Sequence, residues 1–327
     1  MIKNSNWREN FRSLPNGPLS PAWLKRLAEH KKVLALVGPP RCGKTELVQK
    51  IPPDVLCESE DQLMNLLDEL NGLLVLDRNC RIILDQTVDS TFGDRVLRTN
   101  LLLVGTKPGR EDFFTCRMLG LVPGLHFEIN EESVKNFWLR GGLPESFFAS
   151  DDDASKNFRR WYLEFYDCKE LSSNWDLVLQ PVDSRVEYRI PWDSGLYLAS
   201  VLEDVAPEGE IIMSPNTDLA WESCVVRIVE GGVSLLDPTF TLYKKFLRGY
   251  HLFLVESGAI RLAVIPTLKN KLLQFPINKL LQWLSVEKIP KAYLIRPSGP
   301  LVELAKRILV GGASEVIKDI RLSYHLN

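Results

Sequence analysis

The sequence predicts an α/β protein in two parts, and three observations carry that expectation. Short, uniformly apolar strands at Val33–Val37, Leu73–Leu76, Arg81–Leu84 and Leu101–Val104 are mostly separated by longer stretches. That is the pattern of a parallel sheet covered on both faces. The first strand runs directly into a glycine turn, Gly38-Pro39-Pro40-Arg41-Cys42-Gly43-Lys44-Thr45, followed by a helix-capable stretch, Thr45–Ile51. Residues 172–195 are turn-rich, with Pro181, Pro191 and Gly195, and a second alternation of strands and helices begins after them.

Taken in order, residues 1–20 are polar, and Pro15, Gly17, Pro18 and Pro21 break any early helix. From Pro21 the spacing of Trp23, Leu24, Leu27 and Ala28 predicts a short amphipathic helix. Leu63–Leu70 is the clearest helix between strands. Further helices are expected at Glu131–Trp138 and Phe158–Leu171, interrupted by Gly141-Gly142-Leu143-Pro144. In the second of these, Phe158, Trp161, Tyr162 and Phe165 fall at core-like spacing. The later alternation reads as strand Ile211–Met213, helix Leu219–Ile228, and strands near Val233–Leu236, His251–Val255 and Ile260–Ile265. Helix Ile277–Leu284, strand Ala292–Ile295 and helix Leu301–Leu309 complete it.

Composition narrows the class. In 327 residues, 45% are hydrophobic and 25% charged, with 20 Gly and 20 Pro, which excludes collagen-like and largely disordered chains. Apolar runs stop at four or five residues, whereas a membrane span needs about 20, so no membrane segment is expected. The first residues, MIKNSNWRENFRSLP, lack the apolar core of a secretory signal, and a cytoplasmic location is the expectation. None of the six cysteines forms a C-x-x-C pair and the four histidines are scattered. Both facts speak against a Cys/His metal site and for reduced thiols. Charge is uneven: from Thr241 onward 14 Lys/Arg face 5 acids, a net +9, against −11 in the first 240 residues. Such a tail suits either nucleic acid or an acidic neighbouring surface.

The glycine turn is a full G-x-x-x-x-G-K-[ST] match, placed between an apolar strand and a helix start as that motif requires. Gly38, Pro39, Pro40, Arg41, Cys42 and Gly43 would form the loop around phosphate oxygens, with the N–H groups of its non-proline residues as donors. Lys44 would reach the β and γ oxygens of ATP, and the Thr45 hydroxyl would ligate Mg²⁺. Mg²⁺ also wants an acid at the end of a neighbouring strand. Asp85 is preferred, because Gln86 then stands where a water-activating Glu is expected; Asp77 reads as a turn residue. An amide orients water but accepts no proton from it, so catalysis by Lys44, Asp85 and Gln86 is expected to be slow. Thr106, ending the strand Leu101–Val104-Gly105, is a candidate γ-phosphate sensor.

In order and spacing, Gly38–Thr45, Asp85-Gln86, Val104-Gly105-Thr106 and Gly141-Gly142-Leu143-Pro144-Glu145 resemble a known family. It is that of prokaryotic AAA-type ATPases carrying a C-terminal nuclease-like domain of the PD-(D/E)xK class. The resemblance covers residues 20–171. It implies a P-loop NTPase parallel sheet with a helical lid segment, plus a second, smaller α/β nuclease-like domain. The corresponding divisions are an extension at 1–20, an ATPase core at 21–130, a lid at 131–172 and the nuclease-like domain at 173–327. The chain departs from the family at Gln86 and at Gly120-Leu121, where an arginine is missing although Arg117 lies nearby. Asp167-Cys-Lys-Glu-Leu171 replaces Arg-Asp-Leu, and too few residues follow for the family's winged helix.

Further on, Tyr188–Leu196 and Ala220–Val226 resemble family stretches, the latter placing Glu222 where the nuclease's first acid belongs. The strands that should carry the remaining acids, His251–Val255 and Ile260–Ile265, carry none. Metal-dependent phosphodiester cleavage needs two or three carboxylates on Mg²⁺, so this nuclease site is expected to be dead, with Glu222 left in a local salt bridge. The expected function is ATP binding by a slow or degenerate ATPase that acts as a switch or interaction subunit, with a protein partner or self-association. Arg95, Arg98, Arg110 and Arg117 are candidates to complete a neighbour's site. The alternative is an active ATPase working on nucleic acid through residues 241–327.

Overall fold

A computed structural model describes residues 33–48, 55–57, 73–77, 100–105, 114–166, 175–181, 188–202, 215–234, 236, 240–247, 250–258, 260–268 and 275–325. The chain divides into two compact units that part between Leu121 and Val122. Both are α/β. The segment 131–172, which the sequence reading set apart as a lid, falls in the second unit.

The first unit is built on five strands: β1 (Val33–Val37), β2 (Val55–Cys57), β3 (Leu73–Asp77), β4 (Asn100–Gly105) and β5 (Phe114–Arg117). They lie in the order β2-β3-β4-β1-β5, and every neighbouring pair is parallel. Parallel neighbours need crossover connections, which is why the apolar strands are spaced as they are. The helix α1 (Lys44–Val48) follows β1 after a six-residue turn. The expected helices near Trp23 and at Leu63–Leu70, and the strands Arg81–Leu84 and Ile211–Met213, lie outside the described residues.

The second unit opens with α2 (Glu131–Arg140), α3 (Pro144–Phe147) and α4 (Asp152–Phe165). A capping box starts α2. The Asn130 side chain accepts from the Ser133 N–H at 2.8 Å, and Ser133 Oγ accepts from the Asn130 N–H at 2.9 Å. The helix expected at Phe158–Leu171 instead begins at Asp152, because the Asp151 carboxylate caps it by accepting the Ala154 N–H at 2.7 Å. Its aromatics divide: Phe158 and Tyr162 are buried, but Trp161 and Phe165 are 37% and 66% exposed.

Then come β6 (Leu177–Pro181), β7 (Tyr188–Ile190), α5 (Ser194–Val201) and α6 (Pro215–Ser234). The strand expected near Val233 is the end of α6. Gly231 and Gly232 do not break this helix, because both face close neighbours: an added Cβ would meet the Pro123 carbonyl oxygen at 1.8 Å and the Ile317 side chain at 2.8 Å. After α6 follow β8 (Thr241–Leu247), β9 (Tyr250–Glu256), β10 (Arg261–Pro266), α7 (Ile277–Val286), β11 (Lys291–Arg296), β12 (Val302–Ala305), β13 (Ile308–Gly312) and α8 (Ala313–His325). The helix expected at Leu301–Leu309 is thus the β12–β13 hairpin, turning at Arg307 with φ of 74°. Burial of Ile308 and Val310 beside β11 overrides the helical spacing of that stretch.

These eight strands form one mixed sheet, ordered β12-β13-β11-β10-β9-β8-β6-β7. Strands β8, β9 and β10 are antiparallel neighbours, while β10–β11 and β11–β13 are parallel. On one face Leu252, Leu254, Ala263, Ile265, Ala292 and Leu294 pack with Leu280, Trp283 and Leu284 of α7. Helix α6 packs against β10 and α8 against β11. Helix α8 turns Ala313, Val316, Ile317 and Ile320 inward at three- and four-residue spacing. Among the described residues, no helix is long and apolar enough to cross a membrane.

Candidate functional site

The turn after β1 sits at the carboxyl end of the parallel strands, where open α/β sheets form ligand crevices. Its path needs its glycines. A Cβ on Gly38 would lie 2.1 Å from the Met118 carbonyl oxygen, and Gly43 has φ of 100°. Arg41 also takes a positive φ, 57°. Such alternation turns successive N–H groups toward a common point, a nest that suits an anion. Lys44 is 9% exposed and folds back over the turn. Its Nζ donates to the carbonyls of Gly38 and Pro39, each at 2.8 Å, and lies 3.6 Å from the Cys42 sulfur. The ammonium thus holds the loop's shape from within. Arg41 and Thr45 are exposed, whereas Cys42 and Gly43 are buried.

The register places the other expected groups relative to this loop. Val37 pairs with Gly105, so β4 ends beside the turn, although Thr106 itself lies outside the described residues. Asp77 ends β3 and pairs with Val104 of β4. It therefore stands at the same carboxyl edge, on the strand next to β4. Asp85 and Gln86 lie outside the described residues, as do Arg95, Arg98 and Arg110; Arg117 ends β5 and is exposed.

The Gly-Gly-Leu-Pro-Glu segment and the Trp192-Asp193-Ser194-Gly195 segment, both singled out in the sequence, dock on each other. Asp193 is buried, and its carboxylate accepts the Leu196 N–H at 2.8 Å, capping α5, and the Gly142 N–H at 2.7 Å. Gly141 has φ of 81°, and a Cβ there would fall 2.0 Å from Asp193 Oδ1. A Cβ on Gly195 would fall 2.2 Å from the Arg140 carbonyl carbon. Burial pushes the Asp193 carboxyl up from its ordinary range, opposed by the Leu196 and Gly142 N–H groups and by Arg159. Burial lowers Arg159 to about 10; its Nη1 meets Ser155 Oγ at 2.5 Å. These motif residues build a joint.

Glu222 lies on α6 and is 8% exposed. Its ties run across to the sheet and replace the expected local salt bridge: Oε1 meets His251 Nδ1 at 2.6 Å and Oε2 accepts the Tyr188 hydroxyl at 2.9 Å. Glu256 is engaged by Arg261 at 2.6 Å. Among the described residues, no group of three His, Cys, Asp or Glu side chains is placed to hold a metal ion. Sequence reasoning did not find His251 or Tyr188, which reach Glu222 from 29 and 34 residues away.

No family model matches the chain. Two curated proteins are similar to part of it: uncharacterized proteins Rv2008c of Mycobacterium tuberculosis and Mb2031c of Mycobacterium bovis. Each is 27% identical over 170 residues, covering 46% of this chain and 38% of the relative. The chain therefore spans well under half the length of the curated relatives it matches.

Proposed function

We propose that the first unit binds Mg-ATP at Gly38–Thr45 and that the protein is a slow ATPase whose nucleotide state controls a partner contact. The observation that carries this reading is the loop. A complete phosphate-binding motif closes over its own lysine at the carboxyl end of β1, flanked by parallel strands β4 and β5. On phosphate binding, Lys44 Nζ exchanges the Gly38 and Pro39 carbonyls for β and γ oxygens. Thr45, exposed at the start of α1, suits a Mg²⁺ ligand.

Two acids compete for the second metal contact. Asp85 is favoured by the Gln that follows it, Asp77 by its place at the end of β3 beside β4. Gln86 in the water-facing position would leave turnover without the 10²–10⁴-fold that general-base help typically supplies. Equilibrium binding of a fluorescent ATP analogue to the wild type and Lys44→Met tests the reading. Micromolar binding lost at least tenfold in a variant that still folds supports it; no binding by the wild type ends it.

The second unit supports a nuclease-like reading, since an acid on α6 is followed by β9 and β10 in the order the family resemblance implies. Strand β10 carries no acid and the one acid of β9, Glu256 at its end, is engaged by Arg261, so metal-dependent cleavage is not part of the proposal. The +9 charge of residues 241–327 favours a second reading, an ATPase acting on nucleic acid. It predicts affinity for nucleic acid that falls steeply with salt.

A further inference from the structure

Glu222, Tyr188 and His251 form a cluster that the nucleotide reading does not use. The Glu222 carboxylate spends one oxygen on His251 Nδ1 and the other on the Tyr188 hydroxyl. The Tyr188 hydroxyl also lies 2.9 Å from Nδ1 but gives its proton to Glu222, so the carboxylate holds the ring proton on Nδ1 and leaves the lone pair on Nε2. Among the described residues Nε2 makes no hydrogen bond, and the ring is 27% exposed. The His251 ring is thus oriented from behind and open in front.

The antiparallel register brings two further groups to the same face. Phe246 pairs with His251 and Lys244 with Phe253, so both alternate away from the face carrying Leu252 and Leu254. The Lys244 ammonium lies over the Tyr188 ring, 2.8 Å from its centroid, and the Glu222 charge acts on it. The Phe246 ring is 5.5 Å from that of His251 and 61% exposed. A base beside a cation and an open aromatic ring matches one kind of ligand, a single-stranded nucleotide chain whose base stacks while its phosphate meets the charge.

We propose that His251, oriented by Glu222 and flanked by Lys244 and Phe246, is a metal-independent acid–base site that cleaves single-stranded RNA. His251 Nε2 takes the proton of the ribose 2′-hydroxyl, and the 2′-oxygen attacks phosphorus. The P–O5′ bond breaks, and the Lys244 ammonium gives its proton to the departing 5′-oxygen. The products are a 2′,3′-cyclic phosphate and a 5′-hydroxyl; His251 then returns its proton to water and Lys244 regains one. Burial lowers Lys244 to about 8, so it is mostly protonated at neutral pH yet gives up its proton more readily than an ordinary lysine. DNA lacks the 2′-hydroxyl and is not cut. Glu222 is a positioning residue.

The cluster belongs to the second unit and the Gly38–Thr45 turn to the first, and the chemistry proposed for the cluster uses no nucleotide cofactor. The test incubates the full chain in EDTA with a fluorophore-labelled single-stranded RNA and its all-deoxy counterpart, with products identified by mass. The expected result is cleavage of RNA alone to cyclic-phosphate ends. His251→Ala should lower the rate about 100-fold or more in a protein that still folds, and Phe246→Ala should weaken RNA binding about tenfold. If His251→Ala unfolds the protein, Lys244→Met serves in its place. No RNA cleavage by the wild type overturns the proposal, as does cleavage that survives both His251→Ala and Lys244→Met, or binding of RNA without cleavage.

Discussion

Replacing Asp193 by Ala removes the one carboxylate that joins the Gly141-Gly142 turn to α5. Two buried N–H groups, those of Gly142 and Leu196, then lose their acceptor. An orphaned buried donor costs about 1–3 kcal/mol, so the two together cost about 2–6 kcal/mol. Buried Arg159 also loses the opposite charge acting on it. Against this, the variant no longer buries a carboxylate whose burial pushes its pKa up, which returns part of the loss. The net expectation is about 2–4 kcal/mol. For a unit of this size each kcal/mol moves the melting temperature by about 2–4 °C, giving a fall of about 4–16 °C. Thermal unfolding followed by circular dichroism measures it. Asp193→Asn, which keeps one acceptor oxygen, should lose about half as much. A fall below 1 °C for Asp193→Ala would refute the claim that these two motif segments are a structural joint.

Gly195→Ala should destabilise the same joint by at least about 2 kcal/mol, because its Cβ meets backbone at Arg140 that cannot move aside cheaply; an unchanged melting temperature would contradict that packing. Asp176, raised to about 6 chiefly by burial, gives a pH signature. Its folded pKa lies above the unfolded value, so its contribution is full below about pH 4 and lost as pH rises through about 6. Full burial would make this about 3 kcal/mol, and screening of a half-buried group reduces it to about 1–2 kcal/mol. Asp176→Asn should therefore be more stable than the wild type at pH 7 and equal to it at pH 4, read from denaturant midpoints. Between Asp77→Ala and Asp85→Ala, the variant that loses Mg²⁺-dependence of ATP binding identifies the metal-bound acid; loss in neither would remove the strand-end acid from the account.

The apolar strands were legible because consecutive apolar residues spell them: Val33–Val37 matches β1 residue for residue, β3, β4, β9 and β11 extend their expected ranges by one residue at one or both ends, and β10 starts and ends one residue later than expected. What failed depended on distant partners. Strand β8 carries Lys244 and Lys245 in its middle and reads as polar until its neighbours are known. The Asp151–Asp153 run looks like a loop, but one of its carboxylates caps α4. The helix expected at Leu219–Ile228 runs on to Ser234 through Gly231 and Gly232, which pack closely on Pro123 and Ile317. The Gly38–Thr45 turn was legible for the opposite reason, since eight consecutive residues spell it and the structure places it between β1 and α1. The Asp193 joint spans 51 residues and the Glu222–His251 pair 29, and no local pattern announces either.

The central claim is nucleotide binding with hindered turnover, and one paired measurement tests it most directly. Mg-ATP affinity and turnover at saturation are compared in the wild type, Gln86→Glu and Lys44→Met. The account predicts that the wild type binds Mg-ATP and turns it over slowly, that Gln86→Glu raises turnover by 10-fold or more at similar affinity, and that Lys44→Met abolishes both. Rapid wild-type turnover unaffected by Gln86→Glu, or no Mg-ATP binding at all, would contradict it.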